Sequence, residues 1–382
     1  MFADESLAVQ SPDIARLTFL LGIGVAVWLY DRWHLTCGSI VTPAYLALNF
    51  NDLGALAVTI LTSVATYGVV YGVIPRFIVL TGPTRFLMLM PVAILVSMTL
   101  HAGVGGTGSL SGDVFIGIGF IVPGLLAHDV ATQGFRTTAS TVLALSVGLA
   151  AIAQLVTGTA WVGTATSEDV RLAFDISSLP LAALLSVMAS VVLSDRHGVR
   201  AGGFIGAAYL AMLSSTPFEV VSVLAVSWMT HTAVVRWVMP RAIVFGRRKF
   251  AAMLLTAGVL SWVWLLLRAA VPGIPPDPLA NSGFALISMT IPGLLANDAE
   301  RGGSRQLSLG LVLAVTFTLS GTWLAEALHS GSDAISVALN AAVFSAASIG
   351  IITLTPQQPI GRHRDQSRHS HALACTSQRR RS

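Results

Sequence analysis

From residue 14 to residue 354 the chain returns repeatedly to apolar stretches that approach or exceed the length needed to cross a membrane. A hydrocarbon core ~30 Å thick takes about 20 helical residues. Few of the connections exceed a dozen residues, which leaves no room for a separate soluble domain. Charge agrees: 10% of the 382 residues are charged and mean hydropathy is +0.76, against roughly 25% charged in an average soluble domain. The expected fold is all-α: a polytopic integral membrane protein of 12–13 transmembrane helices.

The first apolar stretch does not read as a secretory leader. Asp4, Glu5 and Asp13 precede it where a basic cluster would stand, and no small-residue cleavage pattern follows. With Cys37 in an apolar segment and Cys375 in the polar tail, no disulfide or zinc framework is legible. Of 22 basic residues, all but Lys249 are arginine.

Aligning Asp31 with Asp195 pairs DRWHLTCGSIVTPAYLA with DRHGVRAGGFIGAAYLA, seven identities in seventeen positions. PRFIVLTGPTRF (75–86) pairs with PRAIVFGRRKF (240–250), and IVPGLLAHD (121–129) with TIPGLLAND (290–298). Beyond each acidic residue both halves carry D-x4-G-x-R: Asp129, Gly134, Arg136 and Asp298, Gly303, Arg305. Matches in this order and spacing are the mark of a duplicated unit. We expect repeats at 1–165 and 166–330, an extra transmembrane helix at 331–356 and a disordered basic tail at 357–382. Candidate spans are 14–30, 37–50, 53–74, 86–102, 114–128 and 137–160, then 172–194, 201–214, 218–239, 250–271, 283–297 and 306–328, with a thirteenth at 335–354.

Arg and Lys in short loops favour the cytoplasm. Placing the N-terminus outside puts DRWH, PRFIVLTGPTR, HDVATQGFR, DRHGVR, PRAIVFGRRK, NDAERGGSR and the tail inside, provided the short segments 37–50 and 201–214 cross. Six spans per repeat make the two repeats parallel.

The second and fifth spans of each repeat are short and interrupted by Gly or Pro. Proline removes a backbone donor, and an unsatisfied backbone group facing lipid costs several kcal/mol. Such breaks, at Pro123, Gly124, Pro292 and Gly293, therefore belong against protein or a polar cavity, and matched breaks in two repeats point to a transporter-like site. A charge at the bilayer centre costs roughly 2.5–3.5 kcal/mol. Asp129 and Asp298 are accordingly expected at the inner mouth of their spans, level with Arg136 and Arg305, so that a carboxylate can organise an arginine.

GVGGTG (103–108) satisfies G-x-G-x-x-G, but it follows a span rather than a strand and opens no α/β unit. The sequence has no P-loop, H-E-x-x-H or G-x-S-x-G. No cofactor, catalytic residue or metal site is expected. The tail, with His363, His369 and His371, reads as a basic segment near an anionic leaflet.

GRRKFAAMLLTAG (246–258), the YLAL of 45–48 and the IVPGLLA of 121–127 resemble signature stretches of the PgsC/CapC family, in two copies over nearly all of 14–328. The resemblance implies a membrane subunit of poly-γ-glutamate (capsule) biosynthesis in the bacterial plasma membrane. It implies as partners a separate ATP-dependent amide ligase and an extracellular-facing accessory subunit, besides lipid; no nucleic acid is expected. It singles out Asp31, Arg32, Tyr45, Pro123, Gly124 and Asp129, then Asp195, Arg196, Tyr209, Pro292, Gly293, Asn297 and Asp298. Family members are normally one unit long. This chain departs from the pattern in its duplication, in GPTRF for GRRKF, and in His128 where Asn297 stands in the other half. A glutamate polymer is a polyanion, and arginine's planar fork suits carboxylates. Arg76, Arg85 and Arg136, with Arg241, Arg247, Arg248, Lys249 and Arg305, form the expected polyanion- or partner-binding rim. Two alternatives stand beside this one: a secondary transporter of a small anionic metabolite, and a passive anchor for the ligase.

Overall fold

The computed structural model describes residues 5–48, 53–77, 82–104, 121–157, 172–174, 178–242, 244–271, 273–275 and 285–330. The proposed thirteenth span, the tail and the GVGGTG stretch beyond Val104 lie outside them.

Twelve α-helices are described, and no strand: α1 (Glu5–Trp33), α2 (Thr42–Leu48), α3 (Leu53–Tyr67), α4 (Gly82–Val104), α5 (Val122–Gln133), α6 (Phe135–Thr157), α7 (Leu179–His197), α8 (Gly203–Met212), α9 (Pro217–Ala233), α10 (Arg247–Ala270), α11 (Ala285–Gly302) and α12 (Ser304–Ser330). Among the described residues five segments are long and apolar enough to cross a membrane: Leu56–Arg76, Phe135–Ile152, Pro217–Val238, Arg247–Ala270 and Ser304–Leu328. Their outer faces carry large apolar side chains, such as Leu143, Trp228 and Leu328, that would be costly in water and are at home in hydrocarbon.

The helices gather in threes. One group is α1, α2 and α6, another α3, α4 and α5; displaced by six helices, α7, α8 and α12 form a third and α9, α10 and α11 a fourth. Across the middle, α1 packs on α10 and α4 on α7, each the counterpart of the other. α3 and α9 both end in a π-helical turn, Gly68–Val73 and Val234–Val238. There Val70 packs under Ala127, and Val234 under Ala296, two residues before the acidic residue of each half.

The short segments are the interior. Every residue of α2 is buried, and α8 is almost as fully enclosed. This is where helices too short to shield themselves can satisfy their ends. α8 begins beside Asp298, at the end of the bundle that also carries Arg247 to Lys249. The chain reaches α9 with Glu219 paired to Arg268, near the far end of α10. The ten residues of α8 and the 3-10 turn Leu213–Ser215 therefore lead from one end of the bundle to the other.

The Pro-Gly pairs behave differently from the expectation of a break. α11 runs unbroken through Pro292, and Pro123 stands at the start of α5, where its missing amide costs nothing. The glycines explain the pairing. A β-carbon on Gly124 would lie 3.2 Å from Leu89 O and the Ala93 β-carbon, and one on Gly293 would lie 3.0 Å from Leu254 Cα. Each glycine lets its helix close on the preceding long one, α5 on α4 and α11 on α10.

Candidate functional site

The acidic residue five positions after each of those glycines grips a loop. Between α1 and α2, Gly38 N–H donates to Asp129 Oδ2 at 2.7 Å. One turn further along α5, Gln133 Oε1 accepts from Thr36 N–H at 3.1 Å, and its Nε2 donates to Thr36 O. Residues at i and i+4 share a helix face, so α5 holds the loop at two points. In the other half Gly203 N–H donates to Asp298 Oδ2 at 2.8 Å.

The two loops share an unusual backbone. φ is positive at His34 (56°), Gly38 (73°) and Ser39 (95°). The aligned residues Gly198, Gly202 and Gly203 have φ of 64°, 79° and 78°. Glycine adopts this region without a β-carbon penalty; His34 and Ser39 hold it under strain. These loop residues, with Thr36 and Gln133, were not singled out from the sequence. The glycine cluster of the second loop was the available signal.

The expected carboxylate–arginine pairing is made by other partners. The guanidinium at Asp298 belongs to Arg200, with Nη1 3.5 Å from Oδ1, while Arg136 and Arg305 are exposed on the first turns of α6 and α12. The glycine of D-x4-G-x-R is the structural element of the motif: Gly134 (φ 87°) and Gly303 (φ 83°) separate α5 from α6 and α11 from α12.

A cavity of about 210 Å³ lies under the first loop, against α1, α5 and the start of α10. Tyr30, Thr36, Ser39, His128, Asp129 and Arg247 supply its polar wall, and Cys37 and Arg248 border it. The basic run of the second half thus covers the site of the first. Three cations in the first turn of a helix oppose its dipole, and two are offset by acids: Arg248 Nε donates to Asp31 Oδ1 at 2.7 Å, and Lys249 Nζ to Glu300 Oε2. The Arg247 guanidinium lies 4.9 Å from the centre of the Tyr30 ring, a contact that leaves its charge available to an anion.

Other expected residues lie elsewhere. Arg32, Arg76, Arg196 and Arg241 are exposed, and Arg241 donates to Trp237 O at 2.9 Å. Arg85 is in the first turn of α4 and Asp195 near the end of α7. Tyr45 and Tyr209 are buried in the short helices. Asn297 is buried with Oδ1 unpartnered among the described residues. Cys37 is buried in the loop; burial, then the Asp129 charge, push its thiol up to about 11 against the lowering field of Arg247. Among the described residues no group of three or more His, Cys, Asp or Glu is placed to hold a metal ion; the tail histidines lie outside them. At the far end Arg268 donates twice to Glu219, at 2.7 and 2.9 Å, and also to Pro275 O. Tyr209 and Arg16 border the cavity of about 40 Å³ beside that pair.

An all-helical bundle with apolar outer faces, buried short helices and ion pairs at two ends is a multi-pass membrane protein. This one belongs to the capsule biosynthesis CapC family, whose model matches residues 21–139 and again 185–308, more than half the chain. A capsule biosynthesis protein CapC from Bacillus anthracis is 34% identical over 149 residues, covering 39% of this chain and 93% of the relative. A PGA biosynthesis protein CapC from Bacillus subtilis (strain 168) is 32% identical over 149 residues, with the same coverage. No solved structure matches the chain.

Proposed function

We propose that this chain is the membrane subunit of a poly-γ-glutamate synthesis and export complex. It works in the bacterial plasma membrane with a separate ATP-dependent amide ligase on the cytoplasmic side and an accessory subunit facing out. The names of the two relatives and the family match support the pathway. In this reading the end bearing Arg247, Arg248, Lys249 and Arg200 faces the cytoplasm, as does the tail, and the two matched regions are tandem copies of one unit.

The observation that carries a role in handling polymer is Arg247, a guanidinium that among the described residues is offset by an aromatic face alone, at the mouth of a cavity of about 210 Å³. A growing glutamate chain presents a carboxylate at every residue, and an exposed guanidinium at the cavity mouth gives charge-assisted hydrogen bonds to it. Arg248 and Lys249 have acids of their own, so Arg247→Ala is a sharper variant than removal of all three.

The test is polymer synthesis by membranes containing this chain, supplied with the ligase, ATP and glutamate. Arg247→Ala should lower polymer output by about tenfold or more, the worth of a charge-assisted contact, with normal expression and undiminished co-purification of the ligase. Wild-type output from that variant would overturn the role of Arg247 and leave the chain as an anchor.

A further inference from the structure

The two loop sites are built alike, an aspartate gripping a loop amide that is one aligned position further on in the second half, and their occupants differ. In the second half the Asp298 carboxylate takes a backbone amide on one oxygen and the Arg200 guanidinium on the other. In the first half Asp129 takes the Gly38 amide, and the residue aligned with Arg200 is Thr36, too short and uncharged to supply a cation. The hydroxyl of Thr36 is itself buried without a partner among the described residues, on the wall of the cavity. A carboxylate has about four acceptor positions, so Asp129 keeps capacity for a cation of external origin.

The rest of the cavity supplies the complementary charge. Arg248 is matched by Asp31, whereas Arg247 stands on the Tyr30 ring. Between apolar walls that include Leu125 and Phe250, the cavity offers one carboxylate and, besides the Arg248 already paired to Asp31, one guanidinium; that pair of charges fits a ligand with an ammonium and a carboxylate, the head of an α-amino acid. Its volume of about 210 Å³ is below the roughly 300–1,000 Å³ of pockets for drug-sized ligands, and is suited to one residue at a time. Among the described residues, non-glycine backbone with positive φ is likewise confined to this half. Ser39, on the cavity wall, holds φ 95° where its counterpart is Gly203, and His34, edge-on to Tyr30 at 6.1 Å, holds φ 56° where its counterpart is Gly198. Backbone strain held in place by its surroundings clusters at ligand sites.

We infer that the first half carries an open site for the α-amino-acid head of a single residue, its ammonium on Asp129 and its carboxylate on Arg247, and that Arg200 takes the equivalent seat in the second half. Taking that residue to be the amino-terminal glutamyl unit of the polymer rests on the function proposed above. The two halves are then a working site and a closed copy.

Calorimetry on the purified full-length chain in detergent, with γ-glutamylglutamate as the probe, should give one binding event. N-acetyl-γ-glutamylglutamate, which lacks the ammonium, should bind about tenfold or more weakly, as should the probe to Thr36→Arg, which installs the second half's own cation. Arg200→Thr should keep the affinity of the first site within about twofold, since distant sites act independently. A second readout avoids reliance on a folded Thr36→Arg. In a Cys375→Ser chain the dipeptide should slow alkylation of Cys37, and in a Cys37→Ala, Ala201→Cys version it should leave the aligned thiol untouched. Equal affinity for the acetylated dipeptide, undiminished binding to Thr36→Arg, or protection of residue 201 instead of 37 would overturn the inference. The outcomes are separable from the proposed function: polymer synthesis that needs Arg247 in a chain that ignores the dipeptide would sink this site and leave that function standing.

Discussion

At the scale of single residues, the pair Asp129 and Asp298 shows how one side chain fixes a loop. Each bonds a backbone amide in a stretch where φ is positive at several residues. Asp129→Ala leaves the Gly38 amide unpaired and should cost about 1.5–3 kcal/mol, measured by equilibrium unfolding in mixed detergent. Asp129→Asn keeps an acceptor and should cost about 1 kcal/mol or less. The thiol of Cys37 gives a second check. Its value of about 11, against 9.0 for a free thiol, leaves far less thiolate at pH 8. Alkylation in a Cys375→Ser chain should be about a hundredfold slower folded than unfolded, accelerating as pH rises towards 11. A rate equal to that of the unfolded chain would show the loop to be open. The sequence put both aspartates near a basic end, which burial cost dictates. It did not give their partners, because Gly38 and Gly203 act through backbone and Arg200 is set by loop conformation.

At the scale of elements, the broken-looking segments divide into two devices. The short helices α2 and α8 are legible in the sequence as segments too brief to face lipid, and both are enclosed. The Pro-Gly pairs read as breaks because proline is a poor helix former, yet tertiary packing overrides that preference: α11 is continuous through Pro292, and Gly293 sets how closely it approaches α10. Gly293→Ala would place a β-carbon 3.0 Å from Leu254 Cα, backbone that cannot swing away, and should cost about 1–3 kcal/mol in detergent unfolding. Gly124→Ala meets the flexible Met90 Sδ and the Ala93 β-carbon, both at 3.2 Å, besides Leu89 O. It should cost less, and the reverse ranking would contradict this account of the closeness of α10 and α11.

At the scale of the whole molecule, two ends with different electrostatics are joined by α1 and α10. The Arg248–Asp31 pair ties the halves together at one end, but Arg248 is 55% exposed, and Asp31→Ala should cost under ~1 kcal/mol. At the other end Glu219 and Arg268 are 9% and 2% exposed. Glu219→Ala strands a buried guanidinium and should cost about 3–5 kcal/mol, so the ratio of the two losses in one unfolding assay is the test. The sequence by itself determined that this chain is helical and membrane-embedded, because apolar length and scarce charge allow little else, and its internal matches gave the order of corresponding elements. Tertiary structure alone decided that the second half's α10 lies over the first half's loop, and that one of two like carboxylates is already occupied. Those facts depend on which helices meet across the middle and on where a loop's dihedral angles send its side chains, and neither quantity is written in hydrophobic pattern or residue spacing.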